Sequence, residues 1–439
     1  MLTPPTTDWL DAEGDALLDF ARGSRTPLGF GYLDDAGTVP DPGRTELWIT
    51  SRMTHVFALG ALRGRDGCAE LADHGVRALS TTFADGEHGG WFSAVEATAP
   101  GAGGDAAAPQ QGGAAPARPA GEAGARKEAY PHAFVLLAAA SATAAGRPGA
   151  ADLLAEAVRV HRERFWREDE GMVLEGWDRA FTTPEDYRGA NANMHTVEAY
   201  LAVADVTGDD VFLDRALRIA RRLIDGFARE HAWRLPEHFT PAWEPQLDHH
   251  RDEPAHQFRP FGSTVGHWLE WSRLTLQLRA ALEARGRATE PWMLEGPRAL
   301  FAAAVREGWA PDGADGFVYT VDFDGRPVVR ERMHWVVCEG IGAAAALHAA
   351  GQDAAGGGQD AAAALDVEHW YRTWWAYART HFIEAPGRWH HELSPANAPS
   401  SGTWSGRPDV YHAYQATVLP RLPLAPALAV ALAAGLLEG

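Results

Sequence analysis

Apolar residues recur at i, i+3, i+4 and i+7 in twelve stretches, each bounded by Gly, Pro, Asp or Asn, and this spacing predicts twelve helices. They span about 8–24, 46–62, 66–84, 128–146, 149–166, 191–207, 209–231, 264–285, 290–308, 331–350, 361–384 and 409–436. The links between them alternate in length. After the second, fourth, sixth and eighth helices only a few residues intervene, as with Gly146, Arg147 and Pro148, which predicts tight antiparallel joints. The links from odd to even helices are long and carry aromatic, strand-like pieces: GGWFSAV at 89–95, GMVLEGWD at 171–178, GFVYTVDFDGRPVV at 316–329 and GRWHHEL at 387–393. Asp324 and Gly325 suit a hairpin turn in the third of these. Helices that alternate in direction gather all the long links at one end, where a site would be built. The expected fold is therefore all-α: six helical hairpins forming an (α/α)6 barrel of inner and outer layers, one domain over residues 1–439, with short β-hairpins at one end.

Two stretches stand outside this pattern. Residues 98–125 hold no aromatic residue and no Val, Ile, Leu or Met, and 351–364 read GQDAAGGGQDAAAA. Neither can bury a core, so both are expected to be flexible insertions.

Composition narrows the class. Hydrophobic residues make up 46% of the chain, with 17 Trp and 17 Phe, which is ample material for a globular core. The formal charge of -20 argues against nucleic acid and anionic membranes and favours a neutral small molecule. Cys68 and Cys338 are too few for a disulfide scaffold or a thiolate metal site. The opening MLTPPTTDWLDAEGD has no basic, apolar leader pattern, and 424–437 is short of a membrane span, so a cytoplasmic protein is expected.

Candidate chemistry falls on the even-numbered helices, near their N-terminal ends: Arg52 and His55, Tyr130 and His132, His195 and Glu198, His267 and Glu270, Glu339, and His412. In FGSTVGHWLEW, His267 and Glu270 share a helix face, Ser263 or Thr264 can cap, and Gly262 and Gly266 leave room for close approach to the backbone. In NANMHTVEAYL, Asn191 or Asn193 can cap, with His195 and Glu198 on one face. Each pair alone reads as a capped helix with a core histidine. Repeated at equivalent places, they read as the lining of one pocket. Trp91, Trp177, Trp335, Trp389 and Trp404 lie near the long-loop end, where indoles suit a polyhydroxylated ligand. His249 with His250 and His390 with His391 are adjacent on loops and expected to point apart, so no metal site is expected. No P-loop, dinucleotide fingerprint or nucleophile elbow is present.

Four segments in order, NANMHTVEAYLAV, GSTVGHWLEWSRL, RMHWVVCEGIGA and RPDVYHAYQA, resemble the N-acylglucosamine 2-epimerase superfamily, and within it the aldose–ketose isomerase branch of bacterial D-mannose and sulfoquinovose isomerases. The resemblance runs from about Arg52 to Arg421. It implies an (α/α)6 barrel, a monosaccharide substrate, no metal or nucleotide cofactor, and a monomer or small homo-oligomer. It implies His267 and His412 as the acid/base pair, with Arg52, Tyr130, Asn191, His195, Glu270, Trp335 and Glu339 at substrate-binding positions.

The implied reaction interconverts D-mannose and D-fructose, and by extension D-lyxose and D-xylulose, through a cis-enediol. Histidine has the near-neutral pKa such proton transfer needs. His412 would move the proton between C2 and C1, and His267, oriented by Glu270, would open the ring; the two roles can be exchanged. Arg52 and His195 would hold sugar oxygens, and Glu339 would fix a hydroxyl. Alternatives are a sulfoquinovose isomerase, a 2-epimerase of the N-acylglucosamine or cellobiose type, a glycoside hydrolase on the same barrel, and a sugar-binding protein without catalysis.

Overall fold

Why an inner helix differs from an outer one is visible in which side chains are buried. The computed structural model describes residues 5–98, 117–353 and 366–437. Among them are α1 (Thr7–Ala21), α2 (Leu47–Leu62), α3 (Cys68–Thr81), α4 (Gly121–Ala125), α5 (Ala129–Ala144), α6 (Ala150–Val160), α7 (Ala190–Thr207), α8 (Val211–Ala220), α9 (Val265–Ala284), α10 (Trp292–Ala303), α11 (His334–Asp353), α12 (Val367–Tyr377), α13 (Tyr411–Val418) and α14 (Leu428–Ala433). Helix α3 buries one stripe, Cys68, Leu71, Ala72, Gly75, Val76, Ala78 and Leu79, as an outer helix must. Helices α2, α5, α7 and α9 bury residues all round, the mark of an inner helix. The outer helices α6, α8, α10 and α12 each widen into a π-helical turn at their C-terminal end.

The chain divides into two compact units. The smaller comprises 18–186 and 407–411. In it α2 packs on α3 and α5, and α5 on α6. Lys127, the one lysine in the sequence, is fully buried there, with Nζ 3.0 Å from Asp85 Oδ2 and 4.4 Å from the Phe92 ring centre. Arg179 Nε closes on the same carboxylate at 2.9 Å. The larger unit comprises 1–17, 187–406 and 412–439. In it α7 packs on α8 and α9, α9 on α10 and α11, and α11 on α12.

One backbone device recurs within both units. Each of five inner helices is entered by a short strand, at 44–46, 127–128, 188–189, 263–264 and 332–333, which pairs antiparallel with a strand of the following long loop. The residue before each returning strand gives its carbonyl to the first amide of the helix: Ser93 to Leu47, Glu175 to Ala129, Glu237 to Ala190, Tyr319 to Val265 and His391 to His334. An orphan N–H at each helix start is thus satisfied by the backbone of the loop. The expected side-chain caps are displaced accordingly. Ser263 instead accepts the Trp268 indole N–H at 2.7 Å, and Asn193 donates back to Gly189 O at 2.9 Å.

The hairpin at Asp324 and Gly325 is present, with Gly325 at φ +82° and its N–H on Asp322 O. The helix expected over 409–436 is broken. Helix α13 stops at Val418 because Pro420, Pro423 and Pro426 follow, and the chain resumes only as α14. Of the two expected insertions, residues 99–116 and 354–365 lie outside the described residues, while 117–119 pair with the 94–97 strand and lead into α4.

Candidate active site

The larger unit assembles two histidine–carboxylate dyads against one indole. His412, in the first turn of α13, has Nδ1 2.9 Å from Glu339 Oε1 on α11. His267, in the first turn of α9, has Nδ1 3.0 Å from each carboxylate oxygen of Glu237. An ionised carboxylate only accepts, so opposite one each Nδ1 would carry the proton and each Nε2 would be the basic nitrogen. The Trp335 ring packs on both imidazoles, 5.4 Å from His267 and 5.6 Å from His412. Gly266 makes this possible, since a Cβ there would overlap the Trp335 ring. Gly262 likewise lets α9's entry strand approach the backbone at Val321.

Glu237 is not among the residues expected from the sequence. It precedes the 238–239 strand, so its carbonyl serves α7 while its side chain reaches α9, where Oε1 also accepts Thr264 N–H at 3.2 Å. Its signal is the register of the entry-strand device, which emerges only in the structure. Tyr319, the equivalent residue one hairpin on, serves α9 with its carbonyl and packs on Trp335 of α11.

Glu270, expected to orient His267, is turned the other way. Its Oε1 lies 3.7 Å from His195 Nδ1 and 3.4 Å from Arg273 Nη2. His195 also lies 3.3 Å from Glu198 Oε2, and Gln415 donates to Glu198 Oε1 at 3.4 Å. Glu339, expected to fix a sugar hydroxyl, has its oxygens divided between His412 and Arg273, the latter at 2.9 Å from Oε2. Burial pushes the Glu339 carboxyl above its ordinary value; Arg273 pulls it back and Glu198 adds to the rise. Asn191 stands in the first turn of α7, its Oδ1 buried with no hydrogen-bond partner among the described residues.

His195, Glu198 and Glu270 are the one group among the described residues that offers three ligand atoms within 4.8 Å of one another. The Glu270 oxygen nearest His195 is also the one Arg273 approaches, so a cation there would compete with a guanidinium. His249 and His250 do not point apart: their rings are 4.1 Å apart, flanked by His238 and His256 at 4.5 Å. Burial, reinforced by the neighbouring imidazoles, lowers His238 to about 3 and His249 to about 4, so these two rings are neutral near pH 7. His391 stacks on His334 at 3.8 Å.

In the smaller unit Arg52 is 7% exposed. Its Nη2 donates to Tyr130 Oη at 2.9 Å and its Nη1 to Asp409 Oδ2 at 3.2 Å. The guanidinium carbon stacks 4.4 Å from Phe134 and 4.8 Å from Tyr411. Burial opposes the charge, but Tyr130 and Asp409 outweigh it and hold the pKa above the usual arginine value. Asp409, expected only as a helix start, does both jobs, since Oδ1 accepts Tyr411 N–H at 2.8 Å. His55 and His132 are core residues: the first bonds Ser141, and the second is held between Glu128 O and Trp91 N–H, its pKa pushed far down by burial. Three of the five tryptophans are structural as well, with indole N–H groups on Leu79 O for Trp91, Arg164 O for Trp177 and Glu13 for Trp389.

The family model for N-acylglucosamine 2-epimerase (GlcNAc 2-epimerase) matches residues 29–108 and 102–416. The chain belongs to the N-acylglucosamine 2-epimerase family. Within that family it is 51% identical over 429 residues to a D-mannose isomerase of Thermobifida fusca, covering 97% of this chain and 96% of the relative. It is 46% identical over 433 residues to a D-mannose isomerase of Pseudomonas cannabina pv. alisalensis, covering 98% and 96%. A crystal structure of D-mannose isomerase superposes with a TM-score of 0.79 at 25% identity, covering 94% of this chain and 97% of that one. A cellobiose 2-epimerase from Spirochaeta thermophila superposes at 0.73 and 19% identity over 98% of this chain and 97% of that one, a likeness of fold alone. The fold is the (α/α)6 class of these epimerases and isomerases. No helix among the described residues is long and apolar enough to cross a membrane.

Proposed function

We propose that this family member is an aldose–ketose isomerase that interconverts D-mannose and D-fructose, working in the cytoplasm without metal or nucleotide. The observation that carries the reading is the pair of histidine–carboxylate dyads packed against Trp335, each leaving Nε2 as a base. The two curated relatives named D-mannose isomerase support the choice of sugar. The two cysteines, both buried free thiols, fit a reducing compartment.

In the reaction, Nε2 of His412 takes the C2 proton of open-chain mannose. The C–H electrons form the C1–C2 double bond and the C1 carbonyl oxygen takes up a proton, giving the cis-enediol. Loss of the O2 proton then forms the C2 carbonyl, and the His412 imidazolium returns its proton to C1. Glu339 steadies the imidazolium while it exists. His267 opens the ring and moves protons among the oxygens, with Glu237 as its orienting acid. Trp335 packs on the sugar, and Asn191, His195 and Glu270 are assigned to sugar oxygens, including the developing oxyanion. A hydrolase needs two carboxylates at the scissile bond. Here Glu237 and Glu339 are engaged by histidines and Glu270 by Arg273.

Two histidines packed on one indole also suit a two-base 2-epimerase, which would return the proton to C2 from the opposite face. Incubation with D-mannose, D-lyxose, N-acetylmannosamine, cellobiose and sulfoquinovose, without added metal, separates these readings by product. Fructose from mannose is expected. Glucose as the first product would favour the epimerase, turnover of sulfoquinovose alone would replace the substrate, and activity only with added metal would defeat the metal-free mechanism.

A further inference from the structure

We propose that Arg273 is the positioning residue of this reaction: it keeps the Glu339 carboxylate ionised and so sets which nitrogen of His412 is the base. The proposal rests on the isomerase reading above. Arg273 on α9 is 2% exposed, and its guanidinium bonds acids of two helices. Nε and Nη2 reach Glu339 Oε2 at 3.0 and 2.9 Å, Nη2 lies 3.4 Å from Glu270 Oε1, and Nη1 donates to Gln277 Oε1 at 3.2 Å. The opposite oxygen of Glu339 receives His412 Nδ1–H at 2.9 Å. Cation, carboxylate and imidazole therefore stand in line.

The consequence follows from hydrogen-bond chemistry. An ionised Glu339 can only accept, which fixes the proton of His412 on Nδ1 and leaves Nε2 without one. A protonated Glu339 would donate to Nδ1, leaving the proton of neutral His412 on Nε2 and removing the base. Glu339 is 2% exposed, and burial favours its neutral form. The groups that decide its charge are Arg273 and Glu270 from α9, Glu198 and His195 from α7, and His412 from α13. Arg273 is the permanent cation among them. Gly342 on α11 makes room for it, since a Cβ there would stand 3.1 Å from Arg273 Cδ.

Arg273 and Gln277 also line a cavity of about 740 Å³ walled by α11, α12 and the 419–424 turn, whose other charged or titratable members are His348, Glu368, Tyr371, Arg372 and Arg421. Truncation at position 273 therefore opens onto space that a small cation can enter, which gives a direct test.

The experiment measures kcat and KM for D-mannose from pH 5 to 9 in wild type, Arg273→Ala and Arg273→Lys, with circular dichroism to confirm folding, and repeats Arg273→Ala with methylguanidinium or with urea. Expected for Arg273→Ala are a kcat lowered about 100-fold with KM changed less than about threefold, a low-pH limb moved upward by about one unit or more, and at least about tenfold recovery with methylguanidinium but not urea. Arg273→Lys should move the limb in the same direction by less. A folded Arg273→Ala enzyme whose low-pH limb matches wild type, or whose loss of kcat is recovered by neither compound, overturns the proposal. Where Arg273→Ala does not fold, an unshifted limb in Arg273→Lys overturns it instead. A wild-type enzyme inert toward mannose would refute the isomerase reading, an outcome distinct from all of these.

Discussion

His412 and His267 each present Nδ1 to a carboxylate, yet the carboxylates are held by different means. Behind Glu339 stands a formal charge, Arg273, and the dyad is sealed in, with side chains 7% and 3% exposed. Behind Glu237 stands a backbone amide, Thr264 N–H, and His267 is the more open of the two at 11%. A guanidinium in a dry environment acts strongly on a neighbouring carboxylate, whereas an amide dipole at a helix start acts weakly and mainly fixes direction. The deeper dyad is thus arranged to control basicity and the shallower one to control geometry. That division suits abstraction of a carbon-bound proton by His412 and exchange among oxygens by His267.

The severest test of this division is to replace each histidine in turn. His412→Asn should cost about 1,000-fold or more in fructose formation and abolish incorporation of solvent deuterium at C1 and C2. His267→Asn should slow turnover of the pyranose while a mannose analogue that cannot close its ring still exchanges. If the exchange results come out reversed, the two roles are exchanged too.

Gly266→Ala attacks what the dyads share. The added methyl drives Trp335 from its contact with the two rings, and a misfit of about 1–3 kcal/mol should lower kcat by about 10- to 100-fold and reduce the melting temperature. An unchanged kcat would mean that the indole's position is irrelevant to both histidines. Glu237→Gln is milder, because the amide still accepts from Nδ1 and only the charge is lost. A loss of about tenfold in kcat is expected, without the shift of the low-pH limb predicted for Arg273 variants. A comparable shift would erase the distinction between the dyads.

The smallest effect on chemistry should come from the smaller unit. Lys127→Met leaves Asp85 buried without its ammonium and should cost about 3–5 kcal/mol of stability near neutral pH, with little change in the low-pH limb of kcat. Although burial pushes the Asp85 carboxyl up, bonds from Arg179 and Lys127 hold it well below the ordinary range. The stability this group contributes is therefore present above about pH 4 and lost as the pH falls below that. Thermal melts of wild type and variant should accordingly draw closer as the pH falls below about 4.

The hairpin count and the clustering of histidines on even-numbered helices were legible because both follow from local spacing. His267 and His412 each lie within one turn of a helix start, which periodicity marks well. Their partners were not legible. Glu237 lies 30 residues before His267 and comes to it only through strand register, while Arg52 meets Asp409 across 357 positions. Glu270 is correctly spaced for His267, but spacing cannot weigh the pull of Arg273 against that of an imidazole. The break after Val418 has a simpler cause. Apolar periodicity continues through 424–436, but Pro420, Pro423 and Pro426 interrupt the backbone that a continuous helix would need.

One further consequence concerns handling rather than catalysis. Of 39 basic residues in the sequence one is lysine, and it is 0% exposed. Reagents that couple to side-chain amines, such as activated esters and aldehyde resins, should find no lysine to modify on the folded protein. Crosslinking and immobilisation would have to use carboxylates, which are abundant, or a cysteine or lysine introduced at a chosen surface position. An amine added in this way would be the only lysine such reagents could reach, so the molecule could be tethered in one orientation.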